Sequence, residues 1–519
     1  MIYFIPAWYS PDRWWADPNT KWYRQQEVTF NDTISQVRLF KKHRDNLRLL
    51  ILNYQPALRY FLHRYDIYEV SVWSAFDMIQ DIMDVHPKTL AIEDLSWPEG
   101  IEFFYTPFLV TAFRNNIKFA NIEFGLEGQI IFIEQFIEGE IAQKLYFDDR
   151  GFLSSIVVYQ NHTPLYQDYL NLNGDWQIRE NLLEGDVLVN PEFSSRFRKS
   201  HYESMEELIE ESLENYYIRQ MHNNIDFVLA AATNVHINII SNQFRNDKLV
   251  WSFFEERLSL DNKERLSSVL ANASLILTDK ISTQKKLSSY SVTTVQQVSL
   301  YDSRLSLGKS REMKSQIIYL RLDELDDEQI INTLLVTFEL MRENASVLLK
   351  MVFYEKDANK KDYLTILINQ LLEKQNEPEL SLAHQAEGIL ENNEDGSTVN
   401  VDNRVELLFL QSEVDILNQI ETARLVVDLS VDPDVYTQIA AISAGIPQLN
   451  RVETEYVSHL KNGFIVDSDI SLSKAYHYYL DTLVNWNHAL IYAVKKIGNY
   501  TSEEIVRKIE SKVQGEYDD

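Results

Sequence analysis

A chain of 519 residues, 45% apolar and 24% charged, is too long for one hydrophobic core and too apolar for disorder, so two or three domains of about 100 to 200 residues are expected. Its 78 acidic side chains against 49 basic ones give a net charge of -29, which argues against a phosphate-neutralising nucleic-acid surface. Without cysteine there is no disulfide, thiolate metal site or cysteine nucleophile, a balance that fits a reducing cytoplasm.

The opening residues 2–6 read as a buried strand and not as a signal peptide, since no basic segment precedes them and Pro11, Asp12 and Arg13 soon follow. No apolar run nears the roughly 18 residues of a membrane span, so any membrane contact is expected to be peripheral or through partners. A helix is expected over 31–43, with Asn31 or Asp32 as cap, and a strand over 47–54. This alternation, continuing to about residue 97, predicts βαβ units on a parallel sheet. From about 100 to 200 helical spacing disappears, and short β-rich runs are broken by turn signals at 148–151 (DDRG) and 171–175 (NLNGD). An antiparallel meander is expected there. After an acidic helix over 204–215 the α/β rhythm resumes through NIDFVLAAA, KLVWSFF and ASLILTDK, and the charged 302–314 reads as a linker.

A second α/β unit then begins. Strands are expected over 316–322, 345–353, 405–410, 424–429 and from 448, alternating with helices over 327–343, 361–374, 412–422 and 434–444, the spacing of a doubly wound fold. C-terminal helices include one over 472–483. The polar 376–403 reads as a surface loop and the final EGEYDD as a solvated tail.

No GxGxxG, GxxxxGK[ST], GxSxG or HExxH pattern occurs, so dinucleotide, P-loop, hydrolase and zincin chemistry lack their defining residues. The eleven histidines show no metal-ligand spacing. Asp432-Pro433-Asp434 and Asp467-Ser468-Asp469 have the look of metal-binding carboxylate pairs, but in an acidic chain they read as a helix start and a turn. No metal and no cofactor is expected.

The stretch SVDPDVYTQIAAISAGIPQLNRVETEYVSHLKNGFIVDS is similar to the carboxyl-terminal half of GT-B glycosyltransferases, with Gly445 and Pro447 in the small-residue turn and Lys461, Asn462, Gly463 and Phe464 in a later one. Active retaining members carry two glutamates eight residues apart on this helix, one near the reacting sugar and one on the ribose. The resemblance places those positions at Asp432 and Ala440. A methyl group accepts no hydrogen bond, and a buried donor that loses its partner costs about 1 to 3 kcal/mol. The family's basic pair, which neutralises the leaving diphosphate, falls on Arg321 and Asp326, so the lysine has become a carboxylate among other acids. Arg321, Asp326, Asp432, Ala440 and Gly445 thus outline a vestigial donor cleft with no catalytic residue. Arg321 has an equally ordinary reading as an exposed surface residue.

The chain as a whole resembles one family, the first of the accessory secretory proteins of Gram-positive cocci. The likeness rests on MIYFIPAWYSPDRWWADPNTKWYRQQEVTFNDTISQVRLF, LLILNYQPALRYFLHRYDIYEVSVWSAFD, LYFDDRGFLSSIVVYQ and the AISAGIP region. It implies an α/β, GT-B-like fold: an N-terminal Rossmann-like domain from 1–99 and 221–314, an inserted extended β-sheet domain at 100–220, a C-terminal Rossmann-like domain at 315–490, and helices with an acidic tail at 491–519. It also implies a non-catalytic partner of the second and third accessory secretory proteins. That complex would serve export of a glycosylated serine-rich repeat adhesin to the accessory SecA motor ATPase and translocon, from the cytoplasm or the inner face of the membrane. The adhesin's N-acetylglucosamine is a candidate ligand. The alternative is an active GT-B enzyme that moves a sugar from a nucleotide donor to serine or threonine, with Arg321 and Asp432 still in use. Finally, Trp8, Trp14, Trp15 and Trp22 crowd the first 22 residues. Such a cluster either offers aromatic faces to sugar rings or a partner, or staples the loop to the core.

Overall fold

The computed structural model describes residues 1–11, 13–17, 31–82, 85–106, 109–125, 128–221, 224–254, 257–298, 307–354, 358–375, 404–410, 413–497 and 501–515. Trp22, the 376–403 loop, residues 301–306 of the expected linker and the last four residues lie outside them.

The chain opens with β1 (Ile2–Ile5), α1 (Asp32–Lys41), β2 (Leu47–Ile51), α2 (Leu58–Arg64), β3 (Ser71–Ser74) and α3 (Ala75–Ile79). All four residues of β1 are buried, as a strand covered on both faces must be. Ten strands follow, β4 (Ile101–Tyr105) through β13 (His201–Tyr202), each paired with the next in chain order in one antiparallel sheet. Both turn signals fall between strands of this sheet, where Gly151 and Gly174 take φ of 85° and 87°.

Next come α4 (Met205–Tyr216), β14 (Phe227–Ala231), α5 (Ile237–Gln243), β15 (Leu249–Phe253), α6 (Lys263–Leu270), β16 (Ala273–Thr278), α7 (Ile281–Ser288) and β17 (Val295–Gln297). Their strands return to the opening ones in a seven-stranded sheet of order β17-β16-β15-β14-β1-β2-β3, so the ten-stranded sheet interrupts it in sequence. β1 lies parallel to both β2 and β14.

The remainder is β18 (Gln316–Arg321), α8 (Asp327–Glu343), β19 (Val347–Phe353), α9 (Ala358–Gln375), β20 (Val405–Phe409), α10 (Glu413–Thr422), β21 (Leu425–Asp428), α11 (Val435–Ala444), β22 (Gln448–Asn450), β23 (Gly463–Ile465), α12 (Asp469–Leu480), α13 (Leu483–Ile497) and α14 (Ser502–Gln514). The six strands run parallel in the order β20-β19-β18-β21-β22-β23. One apolar cluster joins the sheet to α8, α9 and α12, and a second joins its other face to α10 and α11. This is a doubly wound sheet whose order reverses between β18 and β21.

By packing, the chain forms two compact units. One comprises Met1–Val28, Asp32–Ile276 and Tyr290–Thr294, and the other Thr29–Asn31, Leu277–Ser289 and Val295–Asp519. One expectation is corrected. The helix foreseen over 472–483 stops at Leu480, and a new one starts at Leu483 so that Trp486 is fully buried and its Nε1 donates to the Arg424 carbonyl at 2.8 Å.

Candidate functional site

β18 ends on Arg321 and β21 on Asp428, and their register pairs Leu320 with Val427, which sets the two charged residues side by side at the switch point. In doubly wound folds a ligand is held at that edge. Arg321 is 6% exposed, so it is not a surface residue. Its Nη1 lies 3.1 Å from Asp428 Oδ2 and its Nε 3.4 Å from Asp323 Oδ2, with the guanidinium over the Tyr354 ring. Burial works against the charge, but Asp428, Asp434 and Asp323 more than offset it and hold the proton well above the usual arginine range.

These carboxylates are fully engaged. Asp428 accepts from Ser430 N and Oγ, at 3.2 and 2.6 Å, and from Asp434 N at 2.9 Å. Both oxygens of Asp323 accept from Tyr354 N, at 3.0 and 3.1 Å. Asp434 caps α11 by accepting from Thr437 N and Oγ1. The guanidinium of Arg321 is therefore spent within the fold. A diphosphate would have to displace a carboxylate to reach it.

Asp326 stands apart from this network. It caps α8, accepting from Gln329 N at 2.8 Å while its own N donates back to Gln329 Oε1 at 3.1 Å. It lines a cavity of about 310 Å³ together with Glu328, Asp469 and Arg451, three carboxylates to one guanidinium. Asp432, half-buried, accepts from Ser282 N at 2.9 Å. Ala440 has no exposed surface and belongs to the apolar cluster of Tyr319, Val352, Val426 and Ile446. Gly445 ends α11 at φ 72°, and a Cβ there would sit 2.1 Å from Leu490 Cδ1. Both acidic triplets begin helices: Asp434 caps α11 and Ser468 caps α12, so 467–469 is a helix start and not a turn.

The buried countercharges Asp323 and Asp428 escape sequence reading. Asp323 looks like one more hostile acid near Asp326, and Asp428 lies 107 residues from its partner. The usable signal was an aspartate closing an otherwise apolar strand, RLVVD.

Trp8, Trp14 and Trp15 of the aromatic opening each pack or hydrogen-bond within the first unit. Trp8 and Trp14 are 8% and 5% exposed. The Trp8 ring packs on Phe61, Trp14 Nε1 donates to Glu206 at 2.6 Å, and Trp15 Nε1 donates to Glu180 at 2.8 Å. The N–H edges of Trp14 and Trp15 are thereby engaged within the first unit.

Beside them, buried His236 has Nε2 2.6 Å from the Ala231 carbonyl and Nδ1 2.5 Å from Tyr9 Oη. The carbonyl only accepts, so Nε2 carries the proton. Burial pushes the ring down to about 4. The folded value lies below the unfolded one, so the native state binds fewer protons between about 4 and 6.5. The stability this residue confers above that window is lost as pH falls through it, by about 3 kcal/mol. Asp149, raised to about 7 by burial and by Asp148, titrates with the opposite sign in the same window. The expectation therefore concerns a difference: in urea unfolding, wild type should lose more stability between pH 7 and 4.5 than His236→Gln does.

The fold is GT-B glycosyltransferase-like. The pneumococcal O-GlcNAc transferase GtfA, solved in complex with UDP and GlcNAc, matches at TM-score 0.65 and 10% identity over 100% of this chain and 99% of that one, which speaks to the fold alone. The description of the accessory Sec system protein family matches residues 1–515. An accessory Sec system protein from Streptococcus gordonii is 37% identical over 521 residues, 98% of each chain. A chain in the crystal structure of accessory secretory protein 1, 2 and 3 in Streptococcus pneumoniae matches at TM-score 0.73 and 33% identity over 99% of each. This chain belongs to the family of accessory Sec system protein 1, that is, accessory secretory protein 1, and so to a protein secretion system.

Proposed function

We propose that this chain is a non-catalytic, GT-B-like component of accessory Sec export. It works with the second and third accessory secretory proteins to deliver a glycosylated serine-rich repeat adhesin to the accessory SecA motor, at the cytoplasmic side of the membrane. The pneumococcal relative, crystallised with its two companions, supports the assembly. Among the described residues no helix is long and apolar enough to cross a membrane, which is compatible with peripheral contact.

The observation that carries the non-catalytic reading is the closure of Arg321 by Asp323, Asp428 and Asp434. Charge developing on a leaving diphosphate needs a free cation, and this one is already neutralised. Ala440, in the ribose position by resemblance, is enclosed in apolar packing where no sugar hydroxyl reaches. Adhesin recognition, including its N-acetylglucosamine, is assigned to the assembly.

The test is calorimetry with uridine-diphosphate sugars, paired with pull-down by the two companion proteins and the glycosylated adhesin. Retention of all three without measurable donor binding or turnover is the expected result. Donor binding with transfer to an acceptor peptide would overturn the reading in favour of the enzyme.

A further inference from the structure

A cavity of about 740 Å³ in the first unit lies along β3, the edge strand of the seven-stranded sheet, and takes Val72, Trp73 and Ser74 from it. Among the described residues no strand pairs with the outer side of β3. An unpaired edge is a ready template for another extended chain.

The cavity is also rich in guanidinium groups, which is unusual in a chain of net charge -29. Arg48 is held by neutral acceptors, Ser71 Oγ at 2.8 Å and Tyr216 Oη at 2.6 Å. Arg196 is fixed by the Met78 carbonyl at 2.7 Å and Gln177 Oε1 at 2.6 Å, with Asp81 farther off at 3.5 Å. Arg219, exposed on the turn after α4, has no ion pair or hydrogen bond among the described residues. The acids nearby are otherwise committed: Asp77 to Arg150 and Arg59, and Glu211 to Tyr202 Oη and Arg198 N. Trp73 stacks on Tyr216 at 4.6 Å and stiffens this wall.

We propose that this groove receives an extended acidic peptide segment of a partner protein, added as a strand to β3 with its carboxylates on Arg48, Arg196 and Arg219. The three guanidiniums come from three separate elements flanking a strand edge, which suits side chains alternating along an added strand better than one compact anion. Elsewhere the strongly acidic chain repels such a segment, so local positive charge selects where it lands.

The test is fluorescence anisotropy on the full chain with a labelled ten-residue peptide alternating glutamate and valine. It is accompanied by hydrogen exchange at whichever of the adjacent Val72 and Trp73 amides points away from β2. Binding should slow that amide, weaken at least ten-fold in Arg219→Glu, and persist in Arg245→Glu, an exposed arginine outside the cavity. A peptide of the same sequence and charge with every backbone amide N-methylated should not bind, because it has no N–H to donate to the strand. Equal binding of the N-methylated peptide, or full displacement by an equimolar amount of tripolyphosphate, would replace the proposal with a small-anion site. No binding, or binding indifferent to Arg219→Glu, would remove it.

Discussion

Arg321→Met is expected to lower the stability of the second unit by about 3 to 5 kcal/mol at pH 7, the usual cost of stripping a buried charge network of one partner. Methionine fills much the same volume, so the loss would be chiefly electrostatic. Asp323, Asp428 and Asp434 would remain without their cation. Adding Asp428→Asn should recover part of the loss at pH 7, because it removes a stranded charge while its one amide oxygen keeps an acceptor for Ser430. Urea unfolding at pH 7 compares wild type with both variants. A cost below about 1 kcal/mol would mean that the arginine behaves as an exposed side chain and that its ion pairs carry little. The same network links fold to function: an export defect in Arg321→Met counts against the non-catalytic reading only if the variant is shown to be folded.

Much of the architecture was legible because local signals agreed with one another. α8 spans the expected 327–343, where an aspartate cap, a glutamine three residues on and a regular apolar stripe all point to one helix. The ten-stranded sheet was announced by its turns, DDRG and NLNGD. What stayed hidden depended on long-range pairing. Trp14 could equally have been a contact face or a core side chain until its indole was seen on Glu206, 192 residues away. The position of Ala440 along the helix could be aligned with a ribose-binding residue, but its enclosure depends on β18 and β19, which lie far off in sequence. The break between α12 and α13 is set by the seat of Trp486 on Arg424 and not by a strong helix breaker.

Gly151→Ala should be the costliest small substitution at any turn of the ten-stranded sheet, at about 2 to 5 kcal/mol. Two effects add. The residue sits at φ 85°, where an L side chain crowds its own carbonyl, and a Cβ would stand 2.1 Å from the Lys88 carbonyl oxygen. That oxygen cannot swing aside like a side chain, because the Lys88 amide is bound to the Arg150 carbonyl at 3.1 Å. Retreat would loosen Arg150 from Asp148 and Asp77, to which it is bonded at 2.6 to 3.0 Å, and so disturb one wall of the cavity along β3. Gly445→Ala is the informative comparison. Its φ is 72° and its Cβ meets Leu490 Cδ1 at the same 2.1 Å, but a leucine tip can rotate away. The expected cost there is about 1 to 2 kcal/mol, the conformational penalty with little overlap added. Urea midpoints of the two variants, with hydrogen exchange at the Lys88 amide, decide the matter. If Gly151→Ala proved as mild as Gly445→Ala, the DDRG turn would not be clamped against Lys88, and the Arg150 pairs would be incidental to the fold.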